Sequence, residues 1–249
     1  MNNKKINKHF SIFGINNSIN VLLSKKIRIL SIFFLKDGLA LKNIDIKKNI
    51  KNFEDKAIIL DKYEFNKKFP YIRSQGIIIN FEFKLNYSLP HFSGKNTCLL
   101  LPERIEDPQN LGQIIRTSEC AGIDGLLISD NKTVGITNAV LQVSQGAFLN
   151  MPIYMIGNIS QTLETFKKEG FWVIGVENSV EASHWCDIDL SGKIILIFGS
   201  EGKGIRQSTL KKCDFITTIP MLGKINSLNI SASVSAILFE RNRQLLKNK

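Results

Sequence analysis

The sequence predicts an α/β protein in two parts: a parallel-sheet unit preceded by a smaller α/β unit. Three observations carry this. From residue 97 onward, apolar runs of strand length alternate with helix-like segments. A stretch rich in turn residues, 86–96, interrupts the pattern before that point. The charge also changes there: residues 1–95 hold 18 Lys+Arg against 7 Asp+Glu, a net +11, whereas residues 96–249 hold 15 of each. A chain of 249 residues fits one large domain or two smaller ones with a substantial core.

The elements follow in order. In the first part a short helix is expected at Asn17–Ser24 and an apolar strand at Ile29–Leu35. A polar, lysine-rich stretch runs over Lys36–Lys56, then a strand at Ala57–Leu60, an aromatic-basic segment at Lys62–Arg73 and a strand at Ile77–Phe83. The segment Asn86–Asn96, with Pro90 and Gly94, reads as the linker, so the expected division is 1–88, a linker at 89–96, and 97–249. In the second part strands are expected at Thr97–Leu101, Gly125–Ser129, Ile153–Ile156, Phe171–Val176, Ile194–Phe198 and Phe215–Ile219. Helices are expected at Leu111–Cys120, Thr137–Phe148, Ser160–Lys168 and Ile205–Lys212. A last helix, Ile230–Leu246, puts Ile230, Val234, Ile237, Leu238 and Leu245 on one face. Continuous apolar strands separated by helices imply a parallel sheet covered on both sides, and such sheets bind ligands at the carboxyl ends of their strands.

Composition excludes several classes. An apolar fraction of 43% and a mean hydropathy near zero exclude wholesale disorder. No apolar run approaches the ~18–20 residues of a membrane span, and the polar N-terminus lacks the h-region of a secretory signal. The four cysteines are far apart with no C-x-x-C pair, and there are three histidines, so neither a disulfide framework nor a metal site is expected. The reading is a cytoplasmic protein with no membrane partner. A basic part beside a neutral one suggests a polyanion such as RNA for the basic part. A lysine-biased composition would spread along the whole chain, and the second part is balanced.

Three segments carry chemistry. In Asp107-Pro-Gln-Asn110-Leu-Gly112-Gln-Ile-Ile-Arg116 a turn leads into a helix, which alone is an ordinary capped helix with a surface arginine. In Ile194-Ile-Leu-Ile-Phe-Gly199-Ser-Glu201-Gly202-Lys-Gly204 a buried strand breaks into a glycine-rich turn, where backbone amides can approach a ligand. It is neither a Walker loop nor a G-x-G-x-x-G fingerprint. Glu201 within it would repel a phosphate, which argues against a nucleotide-triphosphate enzyme. In Ile219-Pro-Met221-Leu-Gly223-Lys-Ile-Asn-Ser227-Leu228-Asn229-Ile-Ser231 a strand end meets a loop, and Ser227 or Asn229 is suited to cap the final helix.

Together, complete and in order, these segments resemble the SpoU (TrmH-like) family of RNA ribose 2′-O-methyltransferases, with signatures N-x-G-x-x-x-R, G-x-E-x-x-G and P-M-x-G-x-x-x-S-L-N-[VI]-S. The resemblance continues at Val143-Ser-Gln-Gly-Ala147 and Met151-Pro-Ile153 and covers nearly all of Thr97–Gln244. More loosely, Phe13-Gly-Ile15 and Ser74-Gln-Gly-Ile77 resemble the small L30e-like RNA-binding domain of the RlmB-type members, although the histidine usual after Gly-Ile is Asn16 here.

The resemblance implies a SPOUT-type α/β domain whose C-terminal segment forms a trefoil knot, a departure from the ordinary rules of chain connection. It implies S-adenosyl-L-methionine as cofactor, held by Gly199, Ile219, Met221 and Leu228, and a homodimer with the partner's arginine completing each site. It implies Arg116, Asn110, Glu201 and Asn229 as the catalytic residues, with Glu201 orienting Arg116 and the two asparagines holding ribose or cofactor. A guanidinium keeps its proton to above about pH 12, so Arg116 is better read as a phosphate clamp and oxyanion stabiliser, with the base role open. The implied substrate is 23S rRNA, at a guanosine of the P-site loop. The alternatives are the same chemistry on tRNA or another rRNA nucleotide, and a non-catalytic RNA-binding scaffold. The chain departs from its relatives at Leu101-Pro-Glu103, where they usually carry Leu-Asp, and at Ser118-Glu119-Cys120, which bears on substrate choice.

Overall fold

The computed structural model describes residues 7–70, 72–130, 133–179, 182–200 and 202–247. Two sheets organise them. The first joins β1 (Asn7–Phe13), β2 (Arg28–Leu35), β3 (Ala57–Leu60) and β4 (Ile77–Lys84) in the order β1-β4-β2-β3. β4 runs antiparallel to both neighbours, and β2 is parallel to β3. Around it lie α1 (Ile15–Leu23), α2 (Leu39–Lys42), α3 (Ile44–Ile50), a 3-10 segment (Lys51–Lys56) and α4 (Lys62–Lys68). Asn43 and Asp61 start α3 and α4 by accepting the amides of Ile46 and Glu64 on their side chains. Paired residues of β2 and β4 face the same side: Phe33 and Ile78 pack with Phe65, while Ile32 and Ile79 enter the main core.

The second sheet is all parallel. It comprises β5 (Cys98–Pro102), β6 (Gly125–Ser129), β7 (Ile153–Ile156), β8 (Trp172–Val176), β9 (Ser183–His184), β10 (Ile194–Phe198) and β11 (Phe215–Thr218). Their order is β7-β6-β5-β10-β8-β11-β9. Every residue of β5, β6 and β10 is buried, because period-2 alternation feeds two cores at once. Leu100, Ile174 and Leu196 face the core shared with α5 (Pro108–Cys120) and α9 (Ile230–Lys247). Leu99, Val173 and Ile195 face the core under α7 (Ile159–Lys168), with Leu163 and Phe166. This is the physical origin of the unbroken apolar strands in the sequence.

Several elements differ from the sequence reading. β1 was not anticipated; its Phe10 and Ile12 are buried against β4, a pairing some 70 residues distant that no local signal announces. The single helix expected over Thr137–Phe148 is α6 (Asn138–Val143) followed by a 3-10 turn at Ala147–Leu149, because Gln145 and Gly146 take φ of 52° and 87°. The helix expected at Ile205–Lys212 is reduced to α8 (Gln207–Leu210). On α9 the expected face is buried at Ile230, Val234, Ile237 and Leu238, with Arg241 occupying the next buried position.

The first sheet packs on the second unit through α6 and the turn after it. Gln142 reads Phe13 as a strand partner would: its Oε1 accepts from Phe13 N at 3.0 Å and its Nε2 donates to Phe13 O at 2.9 Å. Phe148 stacks on Phe81 with ring centroids 5.9 Å apart and meets the edge of Phe83 at 5.3 Å. The segment between the sheets is also anchored. Asn86 O accepts from Met155 N at the edge of β7, and Phe92 packs among Tyr154, Phe166 and Phe171.

Candidate active site at the carboxyl ends of the strands

β8, β10 and β11 end at Val176, Phe198 and Thr218, and a pocket of about 320 Å³ opens beyond them. Three chain segments wall it. The first is the loop after β10. A Cβ on Gly199 would lie less than 3.0 Å from the backbone of Gly204 and Ile205, so only glycine lets the chain turn back this tightly. Gly204 N donates to Ser200 O at 2.9 Å and closes the turn. The second wall is the end of β8, and the third is the loop after β11, tied to it by Asn178 Nδ2 donating to Asn226 O at 2.9 Å.

Side chains from the β8 end and from the segment after β5 hold the loop in place. Glu177 accepts the amide of Ile205 on Oε2 at 2.7 Å while its own amide donates to Thr217 O. Arg104 Nη2 donates to the carbonyls of Gly204 (2.6 Å) and Lys203 (3.1 Å). Glu103 is buried; it accepts from Arg206 N at 2.9 Å and Thr209 Oγ1 at 3.0 Å, with Arg206 Nε 3.4 Å away. The departure seen at Leu101-Pro-Glu103 thus places a carboxylate that anchors the segment after the glycine loop. Glu103 is marked in the sequence only as part of a departure, and Arg104 and Glu177 are not marked at all, because the partners of all three lie 28 to 106 residues away and only the fold joins them.

The residues expected from sequence fall in three groups. Gly199, Ile219, Met221 and Leu228 all line the pocket. Asn110 and Asn229 meet at 2.9 Å, Asn229 Nδ2 donating to Asn110 Oδ1. Asn229 also starts α9, its Oδ1 accepting from Ser231 N at 2.9 Å, which settles the cap in favour of Asn229 over Ser227. Gly112 sets the approach of α5 to α6, since a Cβ there would meet Val143 Cβ at 2.5 Å. Arg116 stands apart: it is exposed on α5, six residues or about 9 Å along the axis from Asn110, and lines a different concavity. Glu201 lies outside the described residues, as does its expected contact with Arg116.

Burial pushes the Cys98 and Cys213 thiols up to about 12, so neither offers a thiolate. His184, Cys186 and Asp187 bring metal-ligating atoms within 4.8 Å of one another on an exposed turn, but none lines the pocket. Among the described residues no helix is long and apolar enough to cross a membrane.

This geometry has counterparts in known proteins. Residues 97–239 match the SpoU rRNA Methylase family. A protein of Staphylococcus aureus described as a TrmH family tRNA/rRNA methyltransferase is 32% identical over 80% of this chain and 84% of its own length. A counterpart of the same description from Staphylococcus saprophyticus is 35% identical over 62% of this chain, and the match spans 63% of that protein. The SpoU methyltransferase AviRb from Streptomyces viridochromogenes, solved with AdoMet, shares the fold with a TM-score of 0.80 at 17% identity, over 96% of this chain and 91% of its own. An AdoMet-bound rRNA methyltransferase from Sinorhizobium meliloti gives 0.76 at 20% identity, over 95% and 88%. Both structures share the α/β architecture with its parallel sheet. With its three motif segments drawn to one end of that sheet, the chain belongs to the SpoU rRNA methylase family.

Proposed function

We propose that the protein transfers a methyl group from S-adenosylmethionine to a ribose 2′-oxygen of RNA, at a guanosine of the P-site loop of 23S rRNA. The observation that carries this reading is the convergence of Gly199, Ile219, Met221 and Leu228, from two distant motifs, on one pocket, with Asn229, the neighbour of Leu228 in the third motif, bonding Asn110 of the first. The pocket's chemistry fits the cofactor. A glycine position that a Cβ would overfill lets backbone groups approach an adenine, and apolar Ile219, Met221 and Leu228 suit its ring and thioether. Glu177, at the pocket wall, offers a carboxylate for ribose hydroxyls.

Bound there, the cofactor supplies a sulfonium-activated methyl group. Asn110 and Asn229 hold ribose or cofactor hydroxyls at the pocket edge, their mutual hydrogen bond fixing both amides. Arg116, a guanidinium cation, clamps a substrate phosphate and neutralises charge developing on the 2′-oxygen as its proton passes to solvent water. Glu201, in the second motif, orients Arg116. Because Arg116 lines a concavity other than the pocket, a homodimer that sets one protomer's Arg116 against its partner's pocket completes the centre. The C-terminal segment through α9 is read as a trefoil knot, the first 88 residues as an L30e-like RNA-binding domain, and the protein as cytoplasmic. A ribose target requires RNA, and the +11 charge of residues 1–95 supplies a backbone grip.

The test is transfer of labelled methyl from S-adenosylmethionine to unmodified 23S rRNA and, separately, to bulk tRNA, with 2′-O-methyl mapping. Label confined to one 23S ribose supports the proposal. Label in tRNA alone keeps the chemistry and removes the substrate, and cofactor binding without label in either RNA favours a scaffold.

A further inference from the structure

The geometry points to the concavity at the seam of the two sheets as a phosphate-binding groove for the RNA strand bearing the target ribose, with Lys25, Lys26 and Arg116 as its cationic ligands. This rests on the methyltransferase reading for the role of Arg116. The concavity, of about 530 Å³, takes Asn20, Lys25 and Lys26 from the first sheet's unit and Arg116, Gln145 and Asn150 from the second. It falls within the ~300–1,000 Å³ range of specific ligand sites.

Charge is the first argument. All three cations are exposed, and among the described residues none is in an ion pair. Elsewhere on the surface Arg28, Lys167, Lys212 and Arg243 are each matched to a carboxylate. Three cations converging on one hollow, with no carboxylate partner among the described residues, repel one another, an arrangement that a polyanion relieves. Among the described residues a single carboxylate, Glu119, shares the lining, and its Oε1 accepts from Asn150 Nδ2 at 3.4 Å.

Rigidity is the second. Lys25 and Lys26 sit on the turn leaving α1, where Lys26 N donates to Ser24 Oγ at 3.2 Å. α1 is fastened to the second unit, Asn20 Nδ2 donating to Gln145 O at 3.1 Å. Gly146 approaches it so closely that a Cβ there would stand 2.6 Å from Asn20 Nδ2. With the Gln142–Phe13 pair, these contacts fix the two lysines relative to Arg116, so the groove is preorganised. Among the described residues no aromatic side chain lines it, so it suits phosphates and sugars rather than stacked bases. The first unit thereby reaches the catalytic arginine itself.

The experiment compares full-length wild type with the double variants Lys25→Ala/Lys26→Ala and Lys47→Ala/Lys48→Ala. The second pair lies on exposed positions of α3, outside the groove. Binding to unmodified 23S rRNA transcript is measured from 50 to 400 mM KCl, with S-adenosylmethionine binding and thermal unfolding as checks on folding. Two lost single-strand phosphate contacts lower the salt slope by about 1.4, which is about 25-fold in affinity at 0.1 M salt. The groove predicts that loss for the Lys25/Lys26 variant and less than about threefold for the α3 variant. Equal losses from both pairs, meaning diffuse charge, or an unchanged slope in the Lys25/Lys26 variant would overturn it. Failure of the methyltransferase reading is separable: wild type would then bind no S-adenosylmethionine, whereas the RNA slopes test the groove alone.

Discussion

Gly199→Ala should empty the pocket while leaving most of the fold standing. The new methyl lies less than 3.0 Å from the backbone of Gly204 and Ile205, where ordinary contact begins at 3.4 Å, so that backbone must withdraw by on the order of an ångström. Three hydrogen bonds oppose the withdrawal: Gly204 N to Ser200 O (2.9 Å), Arg104 Nη2 to Gly204 O (2.6 Å) and Ile205 N to Glu177 Oε2 (2.7 Å). At about 1 kcal/mol for the backbone pair and about 1.5–3 kcal/mol for each charged pair, losing all three amounts to about 4–7 kcal/mol. The loop is open to water, which replaces part of this, so about half is expected in global stability. That is a Tm lower by roughly 5–10 °C for a chain of this size. S-adenosylmethionine affinity should fall at least about a hundredfold, since backbone contacts from this loop form the pocket wall. Gly223→Ala, in the third motif, is the matched control: nothing lies within 4 Å of its added Cβ and its φ is ordinary, so stability should hold within about 0.5 kcal/mol. Calorimetric titration with S-adenosylmethionine and thermal unfolding of both variants decide the matter. A Gly199→Ala protein with wild-type Tm and affinity would refute the steric reasoning.

Other outcomes follow from the same geometry. Glu103→Ala leaves the amide of Arg206 and the hydroxyl of Thr209 without their acceptor, and should lower stability by about 2–3 kcal/mol in chemical denaturation. Phe148→Ala removes the ring that seats the first sheet on the second. A loss of about 3–5 kcal/mol is expected, with amide exchange accelerated in β1 and α6. Of the four cysteines, exposed Cys120 and Cys186 should react with a thiol reagent at pH 8, part-buried Cys213 should react more slowly than either, and buried Cys98 should react only on unfolding. The same two groups set a pH trend. Held as thiols in the fold up to about 12, they ionise first in the unfolded chain, so stability should fall as pH rises above about 9.

Much of the second part was legible because its strands and site glycines answer local demands. A strand buried on both faces has to be apolar throughout, as β5, β6 and β10 are, and a turn with no room for a Cβ has to be glycine, as Gly199 is. Gly146 could have been read the same way as the break after α6, since a glycine ending an otherwise helical run signals a C-terminus. What stayed hidden is the work of polar side chains on distant backbone. Gln142 bonding Phe13, Glu177 bonding Ile205 and Arg104 holding Gly204 depend on separations of 129, 28 and 100 residues, and nothing adjacent in sequence marks them. The basic first part was visible as a total charge. That two of its lysines share a hollow with Arg116 follows only from how α1 docks on the turn after α6.

The most direct test of the account is the location of the methyl group after incubation of unmodified 23S rRNA with labelled S-adenosylmethionine, using wild type and Arg116→Ala side by side. The account predicts label on a single ribose 2′-oxygen with wild type and its loss with Arg116→Ala, cofactor binding being retained. Label on a base, or undiminished ribose methylation by Arg116→Ala, would contradict it.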